Sequence, residues 1–400
     1  MYDVVIVGAG ASGLMCASMI KKDSKLNVLV LEHNDKVGKK LSMTGNGRCN
    51  LGNINKKIDN YFSLNNLDNF KNYLVSDSYL KSLNEIGILI KEDSGRLYPY
   101  NNQAISVCKS FEKYLLYKKV NIKYNYDVNS IIKDNDLYII NNDIKTRKVV
   151  IATGGISYPK TGSTGKGYEI LKSFGHNISK LYPALTYLKT NYKYIKELMG
   201  VRWDGIASLI VDNKVIDTEK GQIQFTKDSV SGVCIFNLSL NVKKYLELKK
   251  QVKISINLLP EYNKKEVNSY LNSFSLYKIE DALEGLLNNK LAKVVCKNLK
   301  ISNKLVKDLN DYELGLLFNK LYNYEFNIID TGSYDVSQIT YGGALLNEFN
   351  NSLESLNNKG LYAIGEVLDV SGKCGGYNLS WAFNSAMIVG DAIKKDCINK

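Results

Sequence analysis

Histidine is almost absent from this 400-residue chain, which holds only His33 and His176, far apart in sequence. A histidine triad, a haem site or a zinc site built on several imidazoles is therefore disfavoured. The seven cysteines form no C-x-x-C pair and are odd in number. That argues for reduced thiols and against a disulfide framework or an iron–sulfur site. Long apolar runs are missing as well. No stretch reaches the ~20 residues of a membrane span, and the most apolar one, Val4 to Ile20, is broken by Gly8, Gly10 and Gly13. Met1-Tyr2-Asp3 before it lacks the basic start of a secretory signal. The expectation is a soluble, cytoplasmic protein with no membrane partner and no metal.

What is present is ordinary for a globular chain: 44% apolar and 23% charged residues. The length suits two domains, or one large domain with an insertion. The net charge is +13. A polyanionic partner such as nucleic acid would explain it. So would codon bias, because the chain is crowded with the Lys, Asn, Ile and Tyr of A+T-rich genomes.

The N-terminal segment reads strand, glycine turn, helix, strand. Tyr2 to Val7 is a short β-branched run suited to a strand buried on both faces. Gly8, Gly10 and Gly13 follow in G-x-G-x-x-G spacing, then a helix over Leu14 to Lys22 and a strand over Asn27 to Glu32. This is the dinucleotide-binding fingerprint in its structural context. Gly8 permits the tight turn, Gly10 lets the backbone approach a pyrophosphate, and Gly13 lets helix and strand pack closely. The helix N-terminus offers free N–H groups to the phosphates. Glu32, at the end of the second strand, is placed to accept from a ribose diol and argues against a 2′-phosphate.

A second strand, Val149 to Ala152, runs into Thr153-Gly154-Gly155. That pattern suits close approach of a ligand or of another backbone. From residue 185 to 330 the texture changes: short β-like runs over 185–258, then helical periodicity over 261–325. Nothing there resembles a nucleotide site, so an inserted second domain is expected. Glycine-rich sequence then returns, with a last strand over Gly360 to Gly365. Gly375-Gly376 stand at the threshold of an amphipathic helix from Asn378 to Ile393.

Four motifs, VVIVGAGASGLM, KLSMTGNGRCNL at 40–51, ATGGISYPKTGSTGKGY at 152–168 and GEVLDVSGKCGGYNLSWAF at 365–383, together resemble one family. It is that of the YhiN-like or BaiN-like flavoproteins, described as NAD(P)/FAD-dependent oxidoreductases of the aminoacetone-oxidase type. The likeness runs from end to end. It implies an α/β fold: a Rossmann-like FAD domain of glutathione-reductase type over 1–184 and 331–400. An inserted β domain with a small helical subdomain would fill 185–330. It also implies a cofactor site. Gly8, Gly10, Ala11, Ser12 and Gly13 would lie at the pyrophosphate and Glu32 at the adenosine ribose. Val128 would touch the adenine edge. Gly45, Gly47, Arg48, Cys49 and Asn50 would line the cofactor, with Thr153, Gly154 and Gly155 on the far side of the fold. Gly365, Glu366, Gly375, Gly376, Tyr377, Asn378 and Leu379 would reach the ribityl chain and flavin ring. One departure is Asn46, where the family has glycine; asparagine can occupy the left-handed region.

Flavin carries the redox chemistry, and the protein supplies orientation, electrostatics and a proton. The helix after Gly376, or Arg48, could face the pyrimidine end of the ring as a positive partner. Cys374, Cys49 and Tyr377 are the candidate proton donors, with Glu366 beside them. No second complete G-x-G-x-x-G exists, so NAD(P)H would bind transiently near the flavin unless another donor reduces it. The resemblance leaves two substrate classes: a uridine of large-subunit ribosomal RNA, reduced to dihydrouridine, or a small enone, steroid-like compound or amine. A non-catalytic FAD-binding protein is a third reading. The net charge leans toward RNA. Oligomeric state is not legible.

Overall fold

The computed structural model describes residues 1–398. It divides into two compact units, one joining Met1–Tyr182 to the chain from Gln338 onward, the other Pro183–Ser337.

In the first unit, β1 (Tyr2–Val7) has its last four residues buried, as expected of a strand covered on both faces. Helix α1 (Ala11–Lys22) begins three residues before the expected Leu14, because Gly10 is its N-cap, in extended conformation. Strand β2 (Val28–Leu31) pairs parallel to β1, with Val4 opposite Val28. Helix α2 (Ala104–Tyr117) leads to β3 (Asn121–Lys123), which pairs with β2. A meander follows through β4 (Ile131–Asp134), β5 (Leu137–Ile140) and β6 (Ile144–Ile151), then α3 (Lys166–Ser173). The returning chain supplies β7 (Leu361–Ala363) and α4 (Tyr377–Ile398).

The seven-stranded sheet runs β3-β2-β1-β6-β5-β4, with β7 also on β6. On the edge away from β1, β6 serves two partners in turn. Ile144 to Thr146 pair antiparallel with β5, and Val149 to Ile151 pair parallel with β7. The order reverses at β1, between β2 and β6, and the crevice beyond the C-terminal ends of these strands is where such sheets bind ligands. α4 crosses α1 so closely that a Cβ on Gly390 would stand 2.6 Å from Met19 Cβ. α4 starts one residue before and ends five residues after the expected Asn378 to Ile393; its last residue in the core cluster is Ile393, fully buried.

The second unit is a closed six-stranded barrel of Leu188–Thr190, Ser229–Ser231, Lys214–Phe225, Arg202–Val211, Val252–Asn257 and Tyr324–Thr331, in that order around it. Closure comes from Leu188 pairing Thr331. Four helices lie between the last two strands in sequence. Two of them, Lys264–Ser273 and Asp311–Tyr322, start with full capping boxes, Asn263 with Glu266 and Asn310 with Glu313. Leu271 and Leu321 on these two helices, and Val295 on the Asn289–Leu299 helix, belong to the same apolar cluster as barrel residues Ile254 and Phe326. The helical part thus packs onto the barrel through a shared apolar core. The second unit ends at Ser337, not Asp330. The last barrel strand runs to Thr331, and the Gly332 N–H donates to the Tyr187 carbonyl.

Candidate functional site

The three fingerprint glycines have different reasons to be glycine. Gly8 has φ +107°, and a Cβ there would stand 2.5 Å from the Ala152 carbonyl oxygen. A Cβ on Gly13 would stand 1.9 Å from the Gly8 oxygen. Both are demanded by the fold. Gly10 is not: a Cβ there meets nothing within 4 Å. Open space over Gly10 lies at the start of α1, where no side chain caps the first-turn N–H groups. Those groups have no intrahelical acceptor. A ready anion site thus stands beside a glycine that the protein itself does not need.

Glu32, buried at the end of β2, closes one side. Its Oε2 accepts from the Ala9 N–H at 2.8 Å, and its Oε1 from the Asn34 N–H and amide at 2.8 and 2.7 Å. A carboxylate has room for about four donors, so one acceptor position is left. The Tyr126 N–H donates to the Glu32 carbonyl, which brings buried Val128 to the same strand end.

The other side is built by segments distant in sequence. A Cβ on Gly365 would stand 2.7 Å from Ser12 Oγ, so the Gly365 turn rests on the first turn of α1. Glu366 is gripped by Lys40 Nζ at 3.1 and 2.8 Å, and its Oε1 accepts from the Thr340 N–H at 2.9 Å. The Thr340 hydroxyl accepts from the Ile156 and Ser157 N–H groups. Gly155 fits between them, since a Cβ would lie 2.4 Å from Thr340 Oγ1 and 2.9 Å from Glu366 Oε1. Gly154 lies beside Glu366 as well. The Thr153 hydroxyl turns toward α3, where a Cβ on Gly167 would meet it at 1.9 Å.

A second junction joins the 44–55 and 372–379 segments. A Cβ on Gly376 would stand 2.4 Å from the Gly52 oxygen, and Asn53 donates to the Gly375 carbonyl. Gly45, Asn46 and Gly47 are all left-handed, Asn46 at φ 55°, as its stand-in for glycine requires. The Asn50 Oδ1 is buried and has no partner.

Four expected side chains are occupied elsewhere. Arg48 pairs with Asp93 at 2.8 Å, bonds Asn102 and stacks over Tyr98, so its guanidinium turns to the Ile90–Pro99 hairpin. Asn378 closes its own loop, accepting from the Gly372 N–H and donating to the Gly372 carbonyl, each at 2.8 Å. The Tyr377 hydroxyl donates to the Asn55 carbonyl, and its ring packs edge-on against Tyr61. Cys49 is fully buried, and burial pushes its thiol up to about 12. Cys374 remains at partial exposure, with its thiol facing Gln338. Leu379 is half-buried against the core. Lys40, Asn53 and Thr340 were not foreseen as site residues. Lys40 lay inside a quoted motif, but nothing local marks its partner.

The donor set fits an FAD. The open glycine and uncapped helix start suit a diphosphate, Glu32 a ribose, and the orphaned Asn50 oxygen a donor on the cofactor. Among the described residues no group of three or more His, Cys, Asp or Glu could hold a metal, and no helix is long and apolar enough to cross a membrane.

Comparison with known proteins finds relatives that run the length of the chain. A reductase from Clostridium scindens, the 3-dehydro-bile acid delta(4,6)-reductase, is 31% identical over 408 residues, covering 98% of this chain and 99% of its own. The ribosomal RNA dihydrouridine synthase of Escherichia coli is 28% identical over 398 residues, 96% of each chain. Among solved structures, the 3-ketosteroid delta1-dehydrogenase of Sterolibacterium denitrificans aligns over 99% of both chains at 12% identity, with a TM-score of 0.47. The family described as HI0933-like protein Rossmann domain matches residues 2–392. With a match of that length over the glycine turn, the Glu32 strand end and the returning Gly365 turn, the chain belongs to the HI0933-like Rossmann family of FAD-dependent oxidoreductases.

Proposed function

We propose that the protein reduces a carbon–carbon double bond conjugated to a carbonyl. One observation carries this reading. Two curated relatives act on substrates unlike in size and charge, yet both names describe that reaction. The delta(4,6) bonds of a 3-oxo bile acid are conjugated to its ketone, and C5=C6 of uridine is conjugated to C4=O. At C4=C5 of the bile acid and C5=C6 of uridine a hydride adds at the carbon β to the carbonyl and a proton at the α carbon; at the vinylogous C6=C7 the hydride adds at the δ carbon and the dienolate takes up the proton.

FAD, when bound, would supply hydride chemistry, with NADH or NADPH as the proposed source of electrons. The N-terminus of α1 would hold the diphosphate, Glu32 the adenosine ribose and Glu366 the ribityl chain. Val128 would border the adenine, and Asn50 with the Gly375–Gly376 turn would border the ring. Cys374 is the proton donor in this reading, because it is partly exposed, with its thiol donating to the Gln338 side chain, whereas Cys49 is sealed in the core.

A small enone is the first substrate class. Residues 183–337 carry 22 Lys+Arg against 18 Asp+Glu, a weak surplus for a nucleic-acid clamp. Six of those lysines, among them Lys253, Lys297 and Lys304, already face acids. The second reading, a ribosomal uridine, is favoured by the net charge of +13.

The test is anaerobic turnover of a 3-oxo-delta(4) steroid by the FAD-loaded protein with NADH or NADPH, scored as a 2 Da gain. C374S should keep its flavin and lose most turnover. A deletion strain whose ribosomal RNA lacks one dihydrouridine, restored by the wild-type gene, would favour the second reading. Failure of both assays would overturn the proposal.

A further inference from the structure

We infer that Lys40 serves the cofactor site by cancelling the charge of Glu366, not by touching the diphosphate. The inference rests on the FAD reading above. Three segments expected at the cofactor meet at this ion pair: the loop that Lys40 opens, the Gly155 turn and the Gly365–Glu366 turn. Lys40 Nζ reaches both carboxylate oxygens of Glu366, at 3.1 and 2.8 Å. The two side chains are 27% and 22% exposed, so neither is well solvated.

Glu366 stands in an awkward place for an acid. Its neighbour Gly365 rests on Ser12 in the first turn of α1, where the diphosphate would lie. A bare carboxylate there would repel the diphosphate and compete with it for the positive end of the helix. Glu366 is nonetheless held firmly, by the Thr340 N–H and by the fit against Gly155. The fold needs its oxygens as acceptors, and Lys40 removes the penalty of their charge. Lys39 cannot substitute. Its Nζ bonds the Asn34 side chain and pairs loosely with Asp35. Lys40 is a positioning residue in this account, and the effect of removing it must depend on Glu366.

The test is a double-mutant cycle on FAD affinity, read by quenching of flavin fluorescence on titrating apoprotein, with thermal melts as a folding control. K40M should weaken FAD about ten- to fifty-fold, the scale of a partly shielded charge left unpaired. E366Q keeps an acceptor oxygen without the charge, and its FAD affinity is the reference for the second arm of the cycle. K40M/E366Q should bind FAD within about threefold of E366Q, because no charge is left to cancel. Should K40M fail to fold, K40Q carries the same comparison. A double variant weaker than E366Q by as much as K40M is weaker than wild type would mean that Lys40 contacts the diphosphate itself, and would overturn the inference. So would a K40M affinity equal to wild type. A wild-type apoprotein that takes up no FAD would overturn the cofactor reading as well.

Discussion

The same substitution three residues apart should have opposite consequences. At Gly13 an alanine Cβ would sit 1.9 Å from the Gly8 carbonyl oxygen and 3.3 Å from the Ala152 methyl, so the βα turn must open. Overpacking of this kind costs about 1–3 kcal/mol. For a unit of this size that is several degrees of melting temperature, at roughly 2–4 °C per kcal/mol. At Gly10 an alanine Cβ enters open space. The apoprotein should lose only the difference between glycine and alanine as an N-cap, under about 1 kcal/mol. What G10A removes is room for the diphosphate to reach the helix N–H groups. Loss of one such charge-assisted bond, about 1.5–3 kcal/mol, should weaken FAD roughly ten- to hundred-fold. Thermal melts of both apoproteins, followed by flavin titration, give the two readouts. The reasoning fails if G10A lowers the apoprotein melt as far as G13A and leaves FAD affinity unchanged.

R48A should change FAD affinity less than about threefold, because its guanidinium is spent on Asp93 and Tyr98; a loss above tenfold by titration would return it to the cofactor. Burial holds the His176 imidazole below its ordinary range, against the opposing pull of Glu348. Its stabilising effect is full above the unfolded value near 6.5 and is lost as pH falls through the lower folded value, so melts should drop on acidification, and H176N should flatten that slope. Stability that rises on acidification through this range would refute the assignment. Among the six cysteines whose side chains are described, Cys374 should be alkylated first and the fully buried Cys16 and Cys49 late or not at all, read by mass mapping of native protein after iodoacetamide. Early modification of Cys49 would show that its pocket opens.

The sequence by itself determined whatever depends on neighbours within a few residues. Continuous apolar runs and glycine spacing are local, so the β1–α1–β2 turn, the placement of Glu32 at a strand end and the left-handed Asn46 could all be read from it. The inserted β and helical stretches were legible for the same reason, each element carrying its own period. Partnership between distant residues was not legible. Arg48 sits in the most characteristic loop of the chain, yet its guanidinium goes to Asp93, because a flexible, charged side chain takes the nearest acid the packed hairpin offers. Tyr377 and Asn378 stand in a motif that invites a cofactor role, but their polar atoms close backbone turns formed only when Gly376 meets Gly52. The end of the insertion moved to Ser337 because barrel closure, a non-local pairing of Leu188 with Thr331, extends the last strand. Lys40 and Glu366 lie 326 residues apart and become one ion pair only in the folded chain. Local spacing selects an element and its turn; which charges face each other across the site is decided by tertiary packing, where burial makes an unpaired charge too costly to keep.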